Sequence, residues 1–299
     1  MNHLLGIKDF TLTAEETDKY IFDLATQFKA NRTSHEKPLL GQTWNLIFSK
    51  SSTRTRLSFE VGVYELGANG VFLNTQDIQL GRGEPIIDTA RVMGRMTHGA
   101  VIRTYDQRDV EDFAQYSEIP TINALTDDEH PCQILTDLFT IKEKLGAIKG
   151  KKIAFIGDAD CNVANSFAYA APIFDYKLNF AAPISYQSKI DNNHIETFID
   201  PFDATKDVDV IYTDVWISMG KEEESEKRLK EFHGYQINKA LVKEAKKDAL
   251  VLHCLPAYRD KEISEEILEE RATDIFDQAE NRLHTQKAIL SWLNSSRAT

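Results

Sequence analysis

The sequence predicts an α/β protein made of two doubly wound domains with parallel sheets. Short apolar runs with the character of buried strands, at 44–48 and 153–156 for example, alternate with segments of helical spacing along the chain. Polar residues follow these runs directly, at the position where ligands collect in an open parallel sheet. The length of 299 residues is sufficient for two domains of ordinary size. A helix stop at Gly146 places the boundary between a first domain, 1–146, and a second, 147–279.

The first domain begins with a helix predicted at 13–29. Thr13 is its expected N-cap because Glu16 follows three residues later. We expect Tyr20, Leu24 and Phe28 to share its buried face. The remaining elements follow in alternation: strands at 44–48, 71–74, 100–103 and 121–125, and helices starting after Ser52 and at 85–96, 108–116 and 132–145.

The second domain repeats this alternation. Its strands are predicted at 153–156, near Leu178, and at 209–213, 249–253 and 273–276. The charged run at 221–230 is most simply a solvated helix or loop. A last helix at 279–293 carries an apolar stripe that must be buried, formed by Leu283, Ile289, Leu290 and Leu293.

Composition excludes several classes of partner and site. The formal net charge of -12 argues against nucleic acid and anionic membranes, which attract basic surfaces. The N-terminus lacks the features of a signal peptide, and no apolar run approaches the length of a membrane span, so we expect a cytoplasmic protein. Cys132, Cys161 and Cys254 are far apart without metal-type spacing, which indicates reduced thiols and no metal.

One strand-to-helix junction, at 48–60, concentrates groups that bind phosphate. Ser51, Ser52 or Thr53 can cap the helix, whose first amides and dipole form an anion site. Arg54 and Arg56 add planar forks for phosphate oxygens. An ordinary capping box with surface arginines is the alternative, but two hydroxyls and two arginines within five residues favour a phosphate site. The glycines of a nucleotide P-loop are absent. We expect the buried face of this helix to carry Leu57, Val61, Tyr64 and Ala68.

Other predicted strand ends are also polar. In the first domain they carry Gln79, Arg103, and His130 with Gln133; in the second they carry 158–162, 214–220, 253–256 and 277–282. Each residue has an ordinary explanation, such as a surface ion pair for Arg103, a turn for His130 or a small core residue for Cys254. Their joint placement at the ligand-binding edge favours function.

Five blocks in register carry a family resemblance that spans about residues 40–290. They are Ser-Thr-Arg-Thr-Arg at 52–56, His-Pro-Cys-Gln at 130–133, Asp-Val-Trp-Ile-Ser-Met-Gly at 214–220, His-Cys-Leu-Pro at 253–256 and Glu-Asn-Arg-Leu-His at 280–284. Together they resemble the signature blocks of the transcarbamylases, specifically the ornithine carbamoyltransferases. The resemblance implies transfer of the carbamoyl group of carbamoyl phosphate to the side-chain amine of L-ornithine, in arginine biosynthesis, without metal or organic cofactor. It also implies a homotrimer or higher assembly of trimers, an active site in the cleft between the domains, and a helix at 280–299 that completes the first domain.

The resemblance also assigns roles to individual residues. Carbamoyl phosphate is expected to contact Ser52, Thr53, Arg54, Thr55, Gln79, Arg103, His130, Gln133, Cys254, Leu255 and Arg282, with Gln79 supplied by a neighbouring subunit. Ornithine is expected to contact Asn162, Asp214, Ser218 and Met219. Arg103, His130, Cys254 and Arg282 match the catalytic residues, and the Leu255–Pro256 bond is expected to be cis.

The match has departures and rivals. Ser49 and Cys161 stand where relatives commonly carry glutamate and asparagine, and 186–203 is shorter than expected, as if a surface helix were trimmed. The aspartate, putrescine and N-acetylornithine enzymes are disfavoured by the Ser-Met-Gly and His-Cys-Leu-Pro blocks. A nicotinamide-binding domain starting near Ile156 would need glycines that are absent. A non-catalytic member of the family is the remaining alternative, against which the complete residue set argues.

Overall fold

The structure is a computed structural model that describes residues 2–32, 34–76, 78–217 and 222–295. The chain divides into unit 1, formed by Met1–Thr136 and Glu280–Thr299, and unit 2, formed by Asp137–Ala279. Each unit contains its own parallel sheet with helices, which confirms the predicted fold class. None of the helices within the described ranges is long and apolar enough to cross a membrane.

Unit 1 is built on a four-stranded parallel sheet with the order β2-β1-β3-β4. The strands are β1 (Thr43–Phe48), β2 (Asn69–Asn74), β3 (Gly99–Arg103) and β4 (Thr121–Leu125). Trp44 is fully buried, and a Cβ at Gly99 would lie only 2.5 Å from its ring. Only glycine at position 99 therefore lets the indole of Trp44 lie against the paired strand β3 at this point. The predicted strands are all present.

The helices of unit 1 confirm most of the sequence prediction. They are α1 (Ala14–Thr17), α2 (Asp23–Ala30), α3 (Arg54–Glu65), α4 (Ile86–Gly94) and α5 (Gln107–Ser117), with a short 3₁₀ helix at Gln79–Arg82. The predicted capping box of Thr13 and Glu16 is present. A π-helical turn at Asp18–Phe22 separates α1 from α2 and changes the phase of the helix. The predicted face was therefore wrong at Tyr20, which is exposed, while Ile21, Phe22 and Ala25 are buried.

The prediction for α3 was correct in position and wrong in orientation. Leu57 and Tyr64, which the spacing placed in the core, are 59% and 78% exposed. The buried face instead carries Thr55, Ser58, Phe59, Gly62 and Val63. It packs against the C-terminal helix α12 (Ala272–Ser295), where a Cβ at Gly62 would lie 3.3 Å from Cγ of Lys287. A small and polar helix face can be buried when its partner helix is also polar, which apolar spacing alone does not reveal.

Unit 2 contains a five-stranded parallel sheet with the order β7-β6-β5-β8-β9. The strands are β5 (Lys152–Ile156), β6 (Lys177–Ala181), β7 (Ile195–Phe198), β8 (Val210–Thr213) and β9 (Leu250–His253). An aromatic cluster fills its core, with Tyr212 stacked on Phe155 at 5.6 Å between ring centroids and Phe167 edge-on to Tyr212 at 4.7 Å. The edge strand β7 was missed because its side chains are only partly buried or exposed.

Helices connect the strands of unit 2, and two of them continue into unit 1. They are α6 (Pro131–Leu145), α7 (Asn162–Phe174), α8 (Pro201–Thr205), α9 (Ser225–Glu231), α10 (Lys239–Val242) and α11 (Glu265–Glu270), with 3₁₀ turns at Ile184–Tyr186 and Glu222–Glu224. The division between units falls within α6 and within α12. One prediction was wrong here: the strand predicted at 273–276 belongs to α12. The segment 186–203 holds β7 and the start of α8. The charged run at 221–230, of which Lys221 lies outside the described residues, forms a short turn and a mostly exposed helix as expected, but it contains the buried Arg228.

The apolar stripe predicted for the last helix is buried, at Leu283, Ile289, Leu290 and Leu293. The three cysteines are free thiols, as expected.

Candidate active site

The predicted phosphate site lies where β1 ends and α3 begins. Thr53 is the N-cap by position but its side chain makes no capping bond; the Ser52 hydroxyl caps instead, accepting from the Thr55 amide at 3.2 Å. Arg54 is the first residue of α3. The first amides of this helix and its dipole therefore meet Ser52, Thr53 and Arg54 at one point, which is the arrangement an anion needs.

Arg282 of α12 is held against this junction. Its guanidinium donates to the Thr55 hydroxyl at 3.2 Å and to the Gln133 side-chain oxygen. With the amide of Gln286 in the orientation that satisfies its neighbours, the Gln286 oxygen accepts from Nε and Nη2 of Arg282 at 3.0 and 2.9 Å. Arg282 is only 3% exposed. These bonds join three of the predicted residues, Thr55, Gln133 and Arg282, and fix the cation before any ligand binds.

Arg103 and His130 belong to the same group of residues as Arg54 and Arg282, which is called here the cationic cluster. Arg103 ends β3, which is paired with β1, and its carbonyl accepts from the Ser49 amide at 2.8 Å. His130 directly precedes α6 and is buried. Burial, with Arg282 and Arg103 nearby, lowers the pKa of His130 well below its ordinary value. His130 is therefore a neutral imidazole at physiological pH, and can take part in hydrogen bonds without adding charge.

Lys50 is a residue of this cluster that the sequence analysis did not single out. It is buried, forms an ion pair with Asp127, and lies 4.2 Å from the centre of the Tyr105 ring. Burial and the nearby Arg103 lower its pKa, against the opposing effect of Asp127. Lys50 could have been identified in the sequence because it lies two residues before Ser52, within the predicted phosphate-binding junction.

Glu129 lies beside His130 and ties it to the start of the chain. Its carboxylate accepts from the amides of Ile7 at 2.6 Å and Lys8 at 3.4 Å. A Cβ at Gly6 would lie 2.4 Å from Oε1 of Glu129, so glycine makes the room that this carboxylate occupies. Burial raises the pKa of Glu129 to about 7, and Asp9 and Asp128 act in the same direction.

Two other predicted residues of unit 1, Arg56 and Gln79, have contacts that do not involve this cluster. Arg56, a candidate phosphate ligand from the motif, stacks on Phe72 at 3.5 Å and pairs with Glu60 at 3.0 Å. Gln79 begins the 3₁₀ turn after β2, and within the described residues it makes no side-chain hydrogen bond to the predicted site residues.

In unit 2, three predicted residues follow three adjacent strands. Asn162 begins α7 after β5, Asp214 follows β8, and Cys254 follows β9. Because all strands of this sheet are parallel, the three positions share its carboxyl edge.

Asp214 and Cys254 form a direct pair. The Cys254 thiol donates to Oδ1 of Asp214 at 2.8 Å, and the Val215 amide donates to the same oxygen at 2.7 Å. Burial and the neighbouring Asp214 raise the pKa of Cys254 well above its ordinary value, and burial also raises the pKa of Asp214. Cys254 is therefore a thiol rather than a thiolate at neutral pH. Among the described residues, none donates to Oδ2 of Asp214, which leaves an acceptor for a ligand.

The turn after β9 has a fixed main chain. The Leu255–Pro256 peptide is cis, as expected, and Leu255 has a positive φ of 55°. The Leu255 amide donates to Nδ1 of His253 at 2.8 Å. This amide is therefore used inside the turn, and within the described part of the chain its carbonyl oxygen accepts no hydrogen bond.

Two family models match almost the whole chain. Residues 2–143 match the aspartate/ornithine carbamoyltransferase carbamoyl-P binding domain, and 149–293 match the Asp/Orn binding domain. The chain belongs to the aspartate/ornithine carbamoyltransferase family. Of the cationic cluster, Arg54, Arg103 and His130 lie in the segment matched by the carbamoyl-P model. Arg282 and the Asp214 and Cys254 pair lie in the segment matched by the Asp/Orn model.

Individual members of the family are similar over their full length. The ornithine carbamoyltransferase of Akkermansia muciniphila is 53% identical over 306 residues, covering 99% of both chains, and that of Methanocorpusculum labreanum is 48% identical, covering 96% of both. Among solved structures, anabolic ornithine carbamoyltransferase from Campylobacter jejuni is 41% identical with a TM-score of 0.91, covering 99% of this chain and 100% of that one. The enzyme from Pyrococcus furiosus is 44% identical with a TM-score of 0.89, covering 97% and 96%.

Part of the predicted amino acid site of this family member, Ser218 and Met219, lies outside the described residues. The segment just before them is anchored by the buried Arg228, which donates to the Trp216 carbonyl at 2.9 Å and pairs with the buried Asp158 at 2.7 Å. Asp158 belongs to the turn that follows β5. Arg228 therefore joins the turns after β5 and β8, a role that the composition of a charged run could not indicate.

Asp214, His253 and Cys254 also present three potential metal-ligand atoms within 4.8 Å of one another. These atoms are instead used in hydrogen bonds within the protein. The thiol donates to Asp214, and both ring nitrogens of His253 contact protein atoms, Nδ1 with the Leu255 amide and Nε2 with Glu262. A metal would have to displace one of these bonds.

Proposed function

We propose that this protein is an ornithine carbamoyltransferase, which transfers the carbamoyl group of carbamoyl phosphate to the side-chain amine of L-ornithine and releases citrulline and phosphate. The observation that carries the proposal is identity of 48–53% over 96–99% of the chain to relatives that bear this name. The cationic cluster of unit 1 and the Asp214 and Cys254 pair of unit 2, called here the two half-sites, support it. A doubly charged acyl phosphate needs fixed cations, and the α-ammonium group of an amino acid needs a carboxylate.

Carbamoyl phosphate is assigned to the cationic cluster and to the turn after β9. The residues proposed to contact it are Ser52, Thr53, Arg54, Thr55, Arg103, His130, Gln133, Cys254, Leu255 and Arg282, with Gln79 from a neighbouring subunit. The phosphate would meet the N-terminus of α3 and Arg54. Arg103 and the neutral His130 would stabilise the carbamoyl oxygen as it gains charge.

The contacts of Leu255 refine its proposed role. An amide that already donates to His253 has no proton left for an oxyanion. The remaining polar group is the Leu255 carbonyl, an acceptor suited to the NH₂ of the carbamoyl group. Charge on the carbamoyl oxygen would then be stabilised by side chains, Arg103, His130 and Arg282 among them.

Ornithine is assigned to Asn162, Asp214, Ser218 and Met219. The open oxygen of Asp214 would accept the α-ammonium group, and the protonated Cys254 would orient the reacting amine through its sulfur lone pairs. The side-chain ammonium of ornithine must lose one proton to solvent before it can attack. The departing phosphate is basic enough to take the second proton, which is released as the C–N bond forms, so the scheme assigns no protein base. Arg103, His130, Cys254 and Arg282 would act by positioning and electrostatics rather than by covalent catalysis.

The wider assignments follow from the same function. Residues 1–146 with the C-terminal segment 280–299 would hold carbamoyl phosphate, and 147–279 would hold ornithine. The similarity to an enzyme described as anabolic supports a role in arginine biosynthesis. We propose a cytoplasmic homotrimer, or an assembly of trimers, with shared sites.

A direct assay tests the reaction. Purified protein is given carbamoyl phosphate with ornithine, putrescine, N-acetylornithine or aspartate in separate reactions, and the carbamoylated product is measured. The kcat/KM for ornithine is expected to exceed that for each of the other three compounds by at least about 10³-fold, because a site built around specific polar contacts rejects analogues that lack them. Preference for any of the other three amines would refute the assignment.

Complementation tests the shared site. Arg54→Ala and Gln79→Ala are each expected to inactivate a site, but in different subunits. In trimers reassembled from both variants, sites that combine Arg54 from one subunit with Gln79 from the next regain activity. Mass measurement must show that the trimers contain both variants. If such trimers are no more active than the separate variants, Gln79 does not contribute to the site of a neighbouring subunit.

A further inference from the structure

Behind the Cys254–Leu255 turn lies a buried histidine that the proposed chemistry does not use. We propose that His253 is a positioning residue, whose Nδ1 sets the main chain of this turn and whose ring is held in place by Glu262. The inference deepens the proposed function, on which it rests, because the turn carries the Cys254 thiol and the Leu255 carbonyl assigned to the substrates.

Both nitrogens of the His253 ring have protein partners. Nδ1 lies 2.8 Å from the Leu255 amide, and Nε2 lies 3.2 Å from Oε1 of Glu262. The two side chains are buried, with relative exposures of 0% and 1%. A ring so enclosed has no route to substrate, so it acts through the turn rather than as an acid or base.

The partners define the tautomer of His253. A backbone amide can only donate, so Nδ1 must be an acceptor without a proton. A neutral ring then carries its proton on Nε2 and donates it to Glu262, whose Oε1 also accepts from the Tyr258 amide. Protonation of both nitrogens would place two donors face to face at Leu255.

A second set of bonds fixes the main chain of His253 itself. Its amide donates to Oε1 of Gln278 at 3.0 Å, and Nε2 of Gln278 donates to the buried Asp137 at 2.6 Å. Asp137 also accepts from the Tyr212 hydroxyl at 2.8 Å, on the neighbouring strand β8. The base of the turn is thus anchored to α6 and α12.

The geometry of Leu255 explains why such an anchor is needed. Its φ of 55° lies in the left-handed region, which a branched side chain adopts only when its surroundings impose it. The hydrogen bond from the Leu255 amide to Nδ1 of His253 stabilises this conformation. It holds the Leu255 carbonyl in one direction and keeps Cys254 within 2.8 Å of Asp214.

Two isosteric variants separate the two nitrogens. In His253→Asn, the side-chain oxygen occupies about the place of Nδ1 and can accept from Leu255. In His253→Gln, the amide reaches about the place of Nε2 and can contact Glu262, but leaves the Leu255 amide without an acceptor. The two variants are therefore matched in polarity and differ in the one bond that the proposal invokes.

The expected result is a loss of about 10²-fold in kcat for His253→Gln, since a displacement of about 1 Å at a reacting group has that effect, and a loss of less than about tenfold for His253→Asn. Thermal unfolding of both variants is measured in parallel to correct for folding. Equal losses, or a more active His253→Gln, would overturn the proposal.

A spectroscopic measurement keeps the proposal testable if neither variant folds. In the wild-type protein, ¹⁵N-labelled histidine spectra are expected to show Nδ1 of His253 without a proton and the proton of the ring on Nε2. A proton on Nδ1, or a doubly protonated ring, would refute it. Failure of the wild-type protein to carbamoylate ornithine would instead refute the proposed function and leave this measurement as a separate test of the turn.

Discussion

The two half-sites differ in charge and in what holds them. The half-site of unit 1 is cationic, with Arg103 and Arg282 buried beside the N-terminus of α3. The half-site of unit 2 is acidic, with Asp214 holding the protonated Cys254. In unit 1 the cation is oriented by neutral polar groups, those of Thr55, Gln133 and Gln286, whereas in unit 2 the carboxylate is oriented by a thiol and an amide.

The difference teaches how a protein with a net charge of -12 can bind an anionic substrate. Arg282 illustrates this, because Thr55, Gln133 and Gln286 orient its guanidinium through uncharged acceptors. Lys50 is the contrast, since its charge is already paired with Asp127. Local placement, rather than overall composition, determines which substrate group each unit attracts.

Removal of Arg54 would break the cationic side of this comparison and should have the largest effect. Arg54→Ala is expected to lower kcat/KM for carbamoyl phosphate by about 10³-fold, because a fixed charged donor to the phosphate is lost. Steady-state kinetics at varied carbamoyl phosphate measure it. Arg56→Ala is the matched control: its guanidinium already pairs with Glu60 and stacks on Phe72, so near-normal kinetics are expected. Near-normal saturation of Arg54→Ala by carbamoyl phosphate would contradict the assignment.

Removal of Asp214 would test the acidic side, with a smaller effect. Asp214→Ala is expected to raise KM for ornithine by about 10- to 100-fold, the loss of one hydrogen bond to a charged group. Affinity for a carbamoyl phosphate analogue, measured by calorimetry, should remain close to that of the wild type. Asp214→Asn, which keeps the shape and removes the charge, should resemble Asp214→Ala in KM. Equal weakening of both ligands would mean that the residue supports the fold of the site rather than the amino acid.

Neutralisation of Glu129 would sharpen the comparison through stability. Unit 1 places this carboxyl in a buried position next to His130 without a cation, and its pKa stands at about 7 against an ordinary 4.5. Between these values the folded protein binds more protons than the unfolded chain, so the free energy of unfolding falls as the pH rises. Relative to Glu129→Gln, the wild type is expected to lose about 3 kcal/mol of stability between pH 4.5 and pH 8.

Denaturant unfolding at several pH values measures this difference. Asp128→Asn removes an exposed carboxylate that adds to the raised pKa of Glu129. Because burial is the larger cause, this control should keep most of the wild-type pH dependence, with a small reduction. Parallel curves for the wild type and Glu129→Gln would show that Glu129 does not titrate in this range.

Helix α3 illustrates what the sequence could and could not predict about the fold. The motif at 52–56 located the start of the helix within two residues, because capping and strand-ending signals are local. The face that points inward was wrong, because α3 packs on α12, a helix more than two hundred residues later whose Lys287 is buried in an ion pair with Glu65. The strand predicted at 273–276 was wrong for a related reason. The apolar spacing of this short run does not distinguish a strand from a helix, and the run continues into the long helix α12.

The candidate site shows the same division. Arg103, His130, Asp214 and Cys254 could be proposed from the sequence because they follow strands and belong to recognisable blocks. Lys50, Glu129, Arg228 and His253 owe their importance to burial beside a particular partner, and nothing in their sequence neighbourhood specifies that partner.

The sequence by itself determined most of the alternation of strands and helices, the polar residues at the strand ends and the family, since these depend on local propensities and short motifs. The tertiary structure alone decided which helix faces are buried, which nitrogen of His253 carries a proton, and that Cys254 remains a thiol. Those properties depend on desolvation and on hydrogen bonds between residues far apart in the chain, and both exist only after the chain has folded.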